Sequence, residues 1–136
     1  MLTYFSEADS GIAEGNVEFV QKGQTITAGK VTYVKEINDA ASYRAEEDVI
    51  IREEERTATC GLTIYDALSD LSKLLDNPVV VQEGQQLSGE EIHLRYEEDK
   101  LARLTIPGRA TLFINGKEKP TGLKVMSQYF LNFSMT

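Results

Sequence analysis

A repeat constrains this chain more than any other feature. An apolar, strand-like triplet is written four times, at Val17-Glu18-Phe19, Val49-Ile50-Ile51, Val79-Val80-Val81 and Ala110-Thr111-Leu112. The starts at 17, 49, 79 and 110 are 32, 30 and 31 residues apart. A small-residue step follows each triplet, at Thr27-Ala28, Thr59-Cys60, Ser88-Gly89 and Thr121-Gly122, offset by 10, 10, 9 and 11 from the triplet start. A period in this range builds a stack of similar supersecondary units, none of which can bury its apolar face without its neighbours. Tyr4 and Gly11-Ile12-Ala13-Glu14-Gly15 read as the closing half of an earlier unit. The expectation is therefore one domain over residues 1–136 that begins inside the array, as a fragment or with a shortened first unit.

Turn residues divide each unit into short β segments, expected to be four to six residues long. Gln21-Lys22-Gly23-Gln24, Glu83-Gly84, Pro107-Gly108 and the hairpin signal Asn115-Gly116 punctuate the strands. The fourth unit diverges late: Ser127 falls where Tyr33 and Tyr65 stand, and Tyr129 is displaced by two, which keeps the same face of a strand. Asp66 to Leu75 is ambiguous. It reads either as turn plus strand or as a short helix, with Leu68, Leu71, Leu74 and Leu75 at helical spacing and Asp66 as N-cap.

Period-two alternation selects an interior. It sets Glu18 and Thr32 outward against their apolar neighbours, as it does His93 between Ile92 and Leu94, and the apolar positions of the units assigned to the interior, as a candidate lipid-binding lining, are Phe19, Ile26, Val31, Tyr33, Val49, Ile51, Ile64, Tyr65, Val79, Val81, Leu87, Ile92 and Leu94. Any well-packed β-stack would also bury such residues. Tyr33 and Tyr65 end equivalent segments, and their rings suit either packing or an apolar lining with the hydroxyl at its rim.

Chemistry is excluded more readily than it is found. A net charge of −8 argues against nucleic acid, which needs clustered Lys and Arg. Glu46-Glu47-Asp48, Glu53-Glu54-Glu55 and Glu97-Glu98-Asp99 read as solvated turns and faces, since none has calcium-loop spacing. His93, between Ile92 and Leu94, is expected to point to solvent, and Cys60 occupies a slot that wants a small residue. No phosphate loop, nucleophile elbow or metal-ligand cluster is written in the chain. The expectation is a non-enzyme without cofactor or metal. Met1-Leu2-Thr3-Tyr4-Phe5 lacks the form of a signal peptide, and no apolar run reaches the roughly 18 to 20 residues that span a bilayer.

Gly11 to Phe19, Thr25 to Tyr33, and Asn77 to Gln82 with Leu87 to Leu94 together resemble the repeat of the OstA/LptA-like lipopolysaccharide-transport proteins, a likeness that runs from Tyr4 to about Val125. The resemblance implies an all-β fold of about four units, a twisted β-jellyroll of two facing antiparallel sheets. It also implies a periplasmic location, lipopolysaccharide or a similar multi-acyl lipid held in the apolar interior, and end-to-end stacking with other jellyroll domains, including a homo-oligomer through the terminal strands. The inner-membrane component, the soluble bridge and the translocon domain all remain open as identities. The competing reading is a structural or assembly β-stack whose sheet ends recruit partners.

Overall fold

The computed structural model describes residues 10–21, 23–35, 41–98, 100–114, 117–119 and 133–135. These form strands β1 (Ser10–Gln21), β2 (Gln24–Lys35), β3 (Ala41–Arg52), β4 (Thr57–Asp66), β5 (Leu71–Leu75), β6 (Val79–Gln82), β7 (Gln85–Gly89), β8 (Glu91–Glu97), β9 (Lys100–Ile106), β10 (Ala110–Ile114), β11 (Lys117–Lys119) and β12 (Phe133–Met135), with no helix among the described residues. All belong to one hydrogen-bonded sheet; every pairing is antiparallel except β12 with β9.

The sheet bends along a single seam. Pairing of β1 with β2 jumps from Glu14↔Lys30 to Val17↔Ala28, so Gly15 and Asn16 together oppose Gly29. Glu47 and Asp48 oppose Gly29 on one side and Gly61 on the other. Asp76 and Asn77 then oppose Gly61 between β5 and β6. Two residues against one is a β-bulge, which kinks the strand and increases its twist. Both residues of each pair take positive φ: 80 and 50° at Gly15-Asn16, 69 and 53° at Glu47-Asp48, 61 and 58° at Asp76-Asn77. Gly, Asn and Asp tolerate this region best; Glu47 is the exception. The pairs start at 15, 47 and 76, and Gly108, with φ 86°, continues the series at intervals of 32, 29 and 32. The repeat in the sequence is the repeat of this bend.

The seam divides the sheet into two leaves. Leaf one holds segments 17–21, 24–28, 49–52, 57–60, 79–82, 85–89, 110–114 and 117–119; leaf two holds 10–14, 30–35, 41–46, 62–66, 71–75, 91–97, 100–106 and 133–135. Their inner faces share one apolar core. Phe19 of leaf one meets Tyr43 of leaf two edge to face, with ring centroids 5.0 Å apart, and Tyr96 of β8 reaches Glu53 beyond the end of β3. Leaf one is thus displaced two to three strands along leaf two. An all-β sheet folded onto itself in this way is compatible with the expected jellyroll.

Three expectations need correction. The strands are not uniformly short: β1, β2 and β3 have twelve residues each and β4 has ten. A bulge preserves the ladder through the bend, so two short arms count as one strand. In the third unit the alternation is shifted by one. Val80 is 1% exposed, whereas Val81 is 42% exposed and Val79 half-buried. Val80 pairs with Ala58 and Leu87, so it is Val80 that corresponds to Phe19 and Ile51. Ile64 also faces outward, because Thr63 and Tyr65 on either side of it face in.

Asp66 to Leu75 resolves as turn plus strand. The Asp66 carboxylate does act as a cap, accepting from the Leu68 amide at 2.9 Å and the Ser69 hydroxyl at 3.1 Å. It caps only a turn, and after Asp70, with φ 55°, the chain enters β5 with Ser72 and Leu74 inward. Thr121, Gly122, Ser127, Tyr129 and the Asn115-Gly116 turn lie outside the described residues.

Two outcomes are expected. A Cβ on Gly29 would stand 2.8 Å from Cβ of Glu47, and one on Gly61 2.9 Å from Cβ of Asp76. Gly29→Val and Gly61→Val should each lower stability by about 1–3 kcal/mol in urea unfolding, while Thr59→Val on the outer face should change it by less than about 0.5 kcal/mol; valine variants indistinguishable from wild type would refute the seam packing. Val80→Asp should cost several kcal/mol and Val81→Asp almost nothing. The reverse ranking would restore the original register.

Candidate functional site

The site is the space between the leaves. On leaf one the row nearest the seam is Val17, Ala28, Val49, Cys60 and Ala110; the next is Phe19, Ile26, Ile51, Ala58, Val80, Leu87 and Leu112. On leaf two the corresponding rows are Ala13, Val31, Ala45, Thr63, Leu74, Ile92 and Ile106, then Tyr33, Tyr43, Tyr65, Ser72, Leu94 and Leu104. Side chains such as Ile26, Leu74, Leu87, Ile92 and Leu104 have no exposed surface. Burying each contributes about 1.5–3 kcal/mol.

Ten of the thirteen residues assigned from sequence lie in this interior: Phe19, Ile26, Val31, Tyr33, Val49, Ile51, Tyr65, Leu87, Ile92 and Leu94. Ile64, Val79 and Val81 do not. Leu74, Val80, Leu104, Ile106, Leu112 and Tyr43 belong to it and were not assigned. Tyr43 had a signal, since it pairs with Tyr33 on one side and Tyr65 on the other, forming a row of three tyrosines across β2, β3 and β4. Outside the core, Glu18 and Thr32 are exposed as expected, and His93 is half-buried on the outer face beside Glu91, 3.1 Å away. Cys60 is buried with its sulfur 3.0 Å from the Thr63 hydroxyl, and burial raises the thiol pKa.

The third row of leaf one changes character. Two residues beyond Phe19, Ile51 and Val80 stand Gln21, Glu53 and Gln82; two before Ile26, Ala58 and Leu87 stand Gln24, Arg56 and Gln85. This lip of the leaf is polar from Gln21 to Gln85 and turns apolar at Ile114, the register partner of Gln85 on β10, and Glu53, read from sequence as part of a solvated turn, is only 16% exposed at its side chain. Its carboxylate accepts from the Arg56 guanidinium at 2.8 Å, from Tyr96 at 2.9 Å and from the Gln24 amide at 3.2 Å. Gln21 exchanges two hydrogen bonds with the backbone of Ala41, at 3.1 and 3.2 Å. The Gln21–Ala41 and Glu53–Tyr96 bonds both cross from leaf one to leaf two, so they clasp the edge opposite the seam.

The clasp is incompletely satisfied. The Tyr43 hydroxyl, Nε of Arg56 and Oε1 of Gln85 are buried without a hydrogen-bond partner among the described residues. Burial pushes both Tyr43 and Tyr96 hydroxyls well above the usual tyrosine range, with the Glu53 charge adding to each, so both stay neutral donors. By contrast, the grooves along the outside of the seam are edged by Glu18, Glu47, Asp48 and Asp76. An acidic, open surface suits neither an acyl chain nor an anion.

Known proteins bear on this geometry. Comparison with curated proteins and with solved structures gave no match. A family described as LptA/(LptD N-terminal domain) LPS transport protein matches residues 2–100, well over half of the chain and ending before β10. An all-β sheet folded about an apolar interior, built from a repeat of about thirty residues, is what the chain's own physics produces across that span, and the chain belongs to this lipopolysaccharide-transport family.

Proposed function

We propose that this protein is a non-enzymatic lipid-carrying module of the periplasm, which takes lipopolysaccharide into the space between its leaves and hands it on toward the outer membrane. Family membership supports lipopolysaccharide transport in general. The observation that carries the finer reading is the interior itself. Four rows of side chains, apolar except for Thr63 and Ser72, run between two leaves hinged along one seam, and a largely polar lip separates them from solvent along the other edge. Acyl chains laid along those rows gain about 0.8 kcal/mol per buried CH₂, enough for an anionic amphiphile to bind a protein of net charge −8 while its head group stays near the lip. Neighbouring jellyroll domains, or a second copy, are the partners at the sheet ends: among the described residues β1 pairs only with β2, and β11 only with β10.

One observation favours the competing structural stack. Ile26, Leu74, Leu87 and Ile92 are fully covered without any ligand, so the core satisfies itself. The two readings part on whether lipid reaches these rows. Photo-crosslinkers at Ile51 and Ile92 should capture added lipopolysaccharide, and one at exposed Glu54 should not. Capture at Glu54 alone would dismiss the interior carrier and leave the stack.

A further inference from the structure

We infer that the clasp opposite the seam is the gate of the interior: lipid enters and leaves where the Tyr96–Glu53 and Gln21–Ala41 bonds part, and not at the seam or the sheet ends. The inference rests on the carrier reading and adds to it the route and the residues that control it. Ile26, Leu74, Leu87, Ile92 and Leu104 have no exposed surface, so an acyl chain reaches the core rows only if the leaves separate. At the seam β1, β2, β3 and β4 run unbroken from one leaf to the other, and separation there would break the backbone ladder. Opposite the seam, every hydrogen bond that joins the leaves among the described residues uses a side chain.

The clasp is arranged to part without stranding a charge. Three donors bind the Glu53 carboxylate, and only Tyr96 belongs to leaf two. When Tyr96 withdraws, Glu53 keeps the Arg56 guanidinium at 2.8 Å and the Gln24 amide at 3.2 Å. A permanent seal would set the two charges on opposite leaves, where separation leaves each uncompensated. Here Glu53 and Arg56 stand three residues apart on leaf one, so the ion pair travels with that leaf. Further along the edge, the Gln21 amide at the end of β1 and the Ala41 backbone at the start of β3 exchange their two bonds, at 3.1 and 3.2 Å, for bonds to water as the leaves part. Beside them the edge of Phe19 on Tyr43, with centroids 5.0 Å apart, is an apolar contact that an acyl chain replaces in kind.

The test follows uptake of cis-parinaric acid, an acyl probe that fluoresces in apolar surroundings, by the full chain with Cys60→Ala as background. Glu54 and Glu97 are exposed and stand next to Glu53 and Tyr96 on the two leaves. Joining Glu54→Cys to Glu97→Cys with a short, reducible bis-maleimide should slow uptake by at least about tenfold, and cleaving the linker should restore it. The same linker between Glu54→Cys and Glu83→Cys, both on leaf one beside the Arg56–Gln82 contact, should leave the rate unchanged. Without a linker, Tyr96→Phe and Gln21→Ala should each speed uptake about three- to tenfold, because each removes interleaf bonds from the opening barrier. Equal uptake by the linked and the cleaved protein would overturn the gate and leave the carrier reading standing, with entry at the sheet ends. Because linking and cleavage are compared in one sample, that result does not depend on how stable a variant is. If neither Tyr96→Phe nor Gln21→Ala takes up probe faster than the unsubstituted chain, the clasp is structural and the gate falls as well. Failure of the probe to bind either the linked or the cleaved protein would remove the gate together with the carrier.

Discussion

Everything in this fold depends on two residues opposing one. At three crossings of the seam, Gly15-Asn16, Glu47-Asp48 and Asp76-Asn77, a left-handed pair faces a single residue, and at Gly29 and Gly61 that residue has no side chain because Glu47 and Asp76 occupy the space. The bulge bends every long strand at the same height, so the bends align into one crease instead of scattering through the sheet. Only then do the inward faces of the two arms of a strand look at each other. A flat sheet with the same alternation would leave one apolar face to solvent; the crease closes that face on itself.

The crease also explains which parts of the structure were legible in the sequence. Val17, Phe19, Val49 and Ile51 could be placed because consecutive units there differ by 32 residues and the alternation keeps its phase. Between the second and third units the bulges are 29 residues apart, and period-two alternation converts an uncorrected odd difference into reversed faces. Aligning Val79 with Val49 therefore exposed the wrong residues, whereas aligning Pro78 with Val49 puts Val80 inside. Placing Ile64 and Tyr65 in one interior violated the same rule more simply, since neighbours on a strand point apart. The length of the strands was hidden for another reason: a bulge looks like a turn in the sequence, and Glu47-Asp48 or Gly15-Asn16 reads as a break although the ladder continues through it.

The polar lip was missed because charge was read without position. Glu53 lies among Glu54 and Glu55, and composition marks the run as solvated. Position distinguishes it: Glu53 is four residues after Val49, as Gln21 is four after Val17, and an even offset returns the side chain to the inner face. Gln24, Arg56 and Gln85 precede Ala28, Cys60 and Gly89 by the same interval. The row is as periodic as the apolar ones. Its bonds lie among partners from different units, which no single segment of sequence displays.

The two long edges of the interior differ in how they are held, and this decides where it can open. At the seam β1, β2, β3 and β4 run continuously from one leaf to the other, so separation there would require breaking ladder hydrogen bonds and the chain's own geometry. Opposite the seam the leaves are joined by side-chain bonds: Gln21 to Ala41, Tyr96 to Glu53, and the edge of Phe19 on Tyr43. A hydrogen bond of this kind contributes about 0.5–1.5 kcal/mol, rising to about 3 where one partner is charged. The sum of a few such bonds is comparable to the gain from burying a handful of methylene groups. A hinge that cannot open and a clasp held by a few weak bonds give the interior one direction of access. On the carrier reading proposed above, an acyl chain that displaced the clasp would meet Gln21, Glu53 and the Tyr96 hydroxyl as they lose their partners across the gap, so the groups that close the empty protein would also be the ones beside the head of a bound lipid.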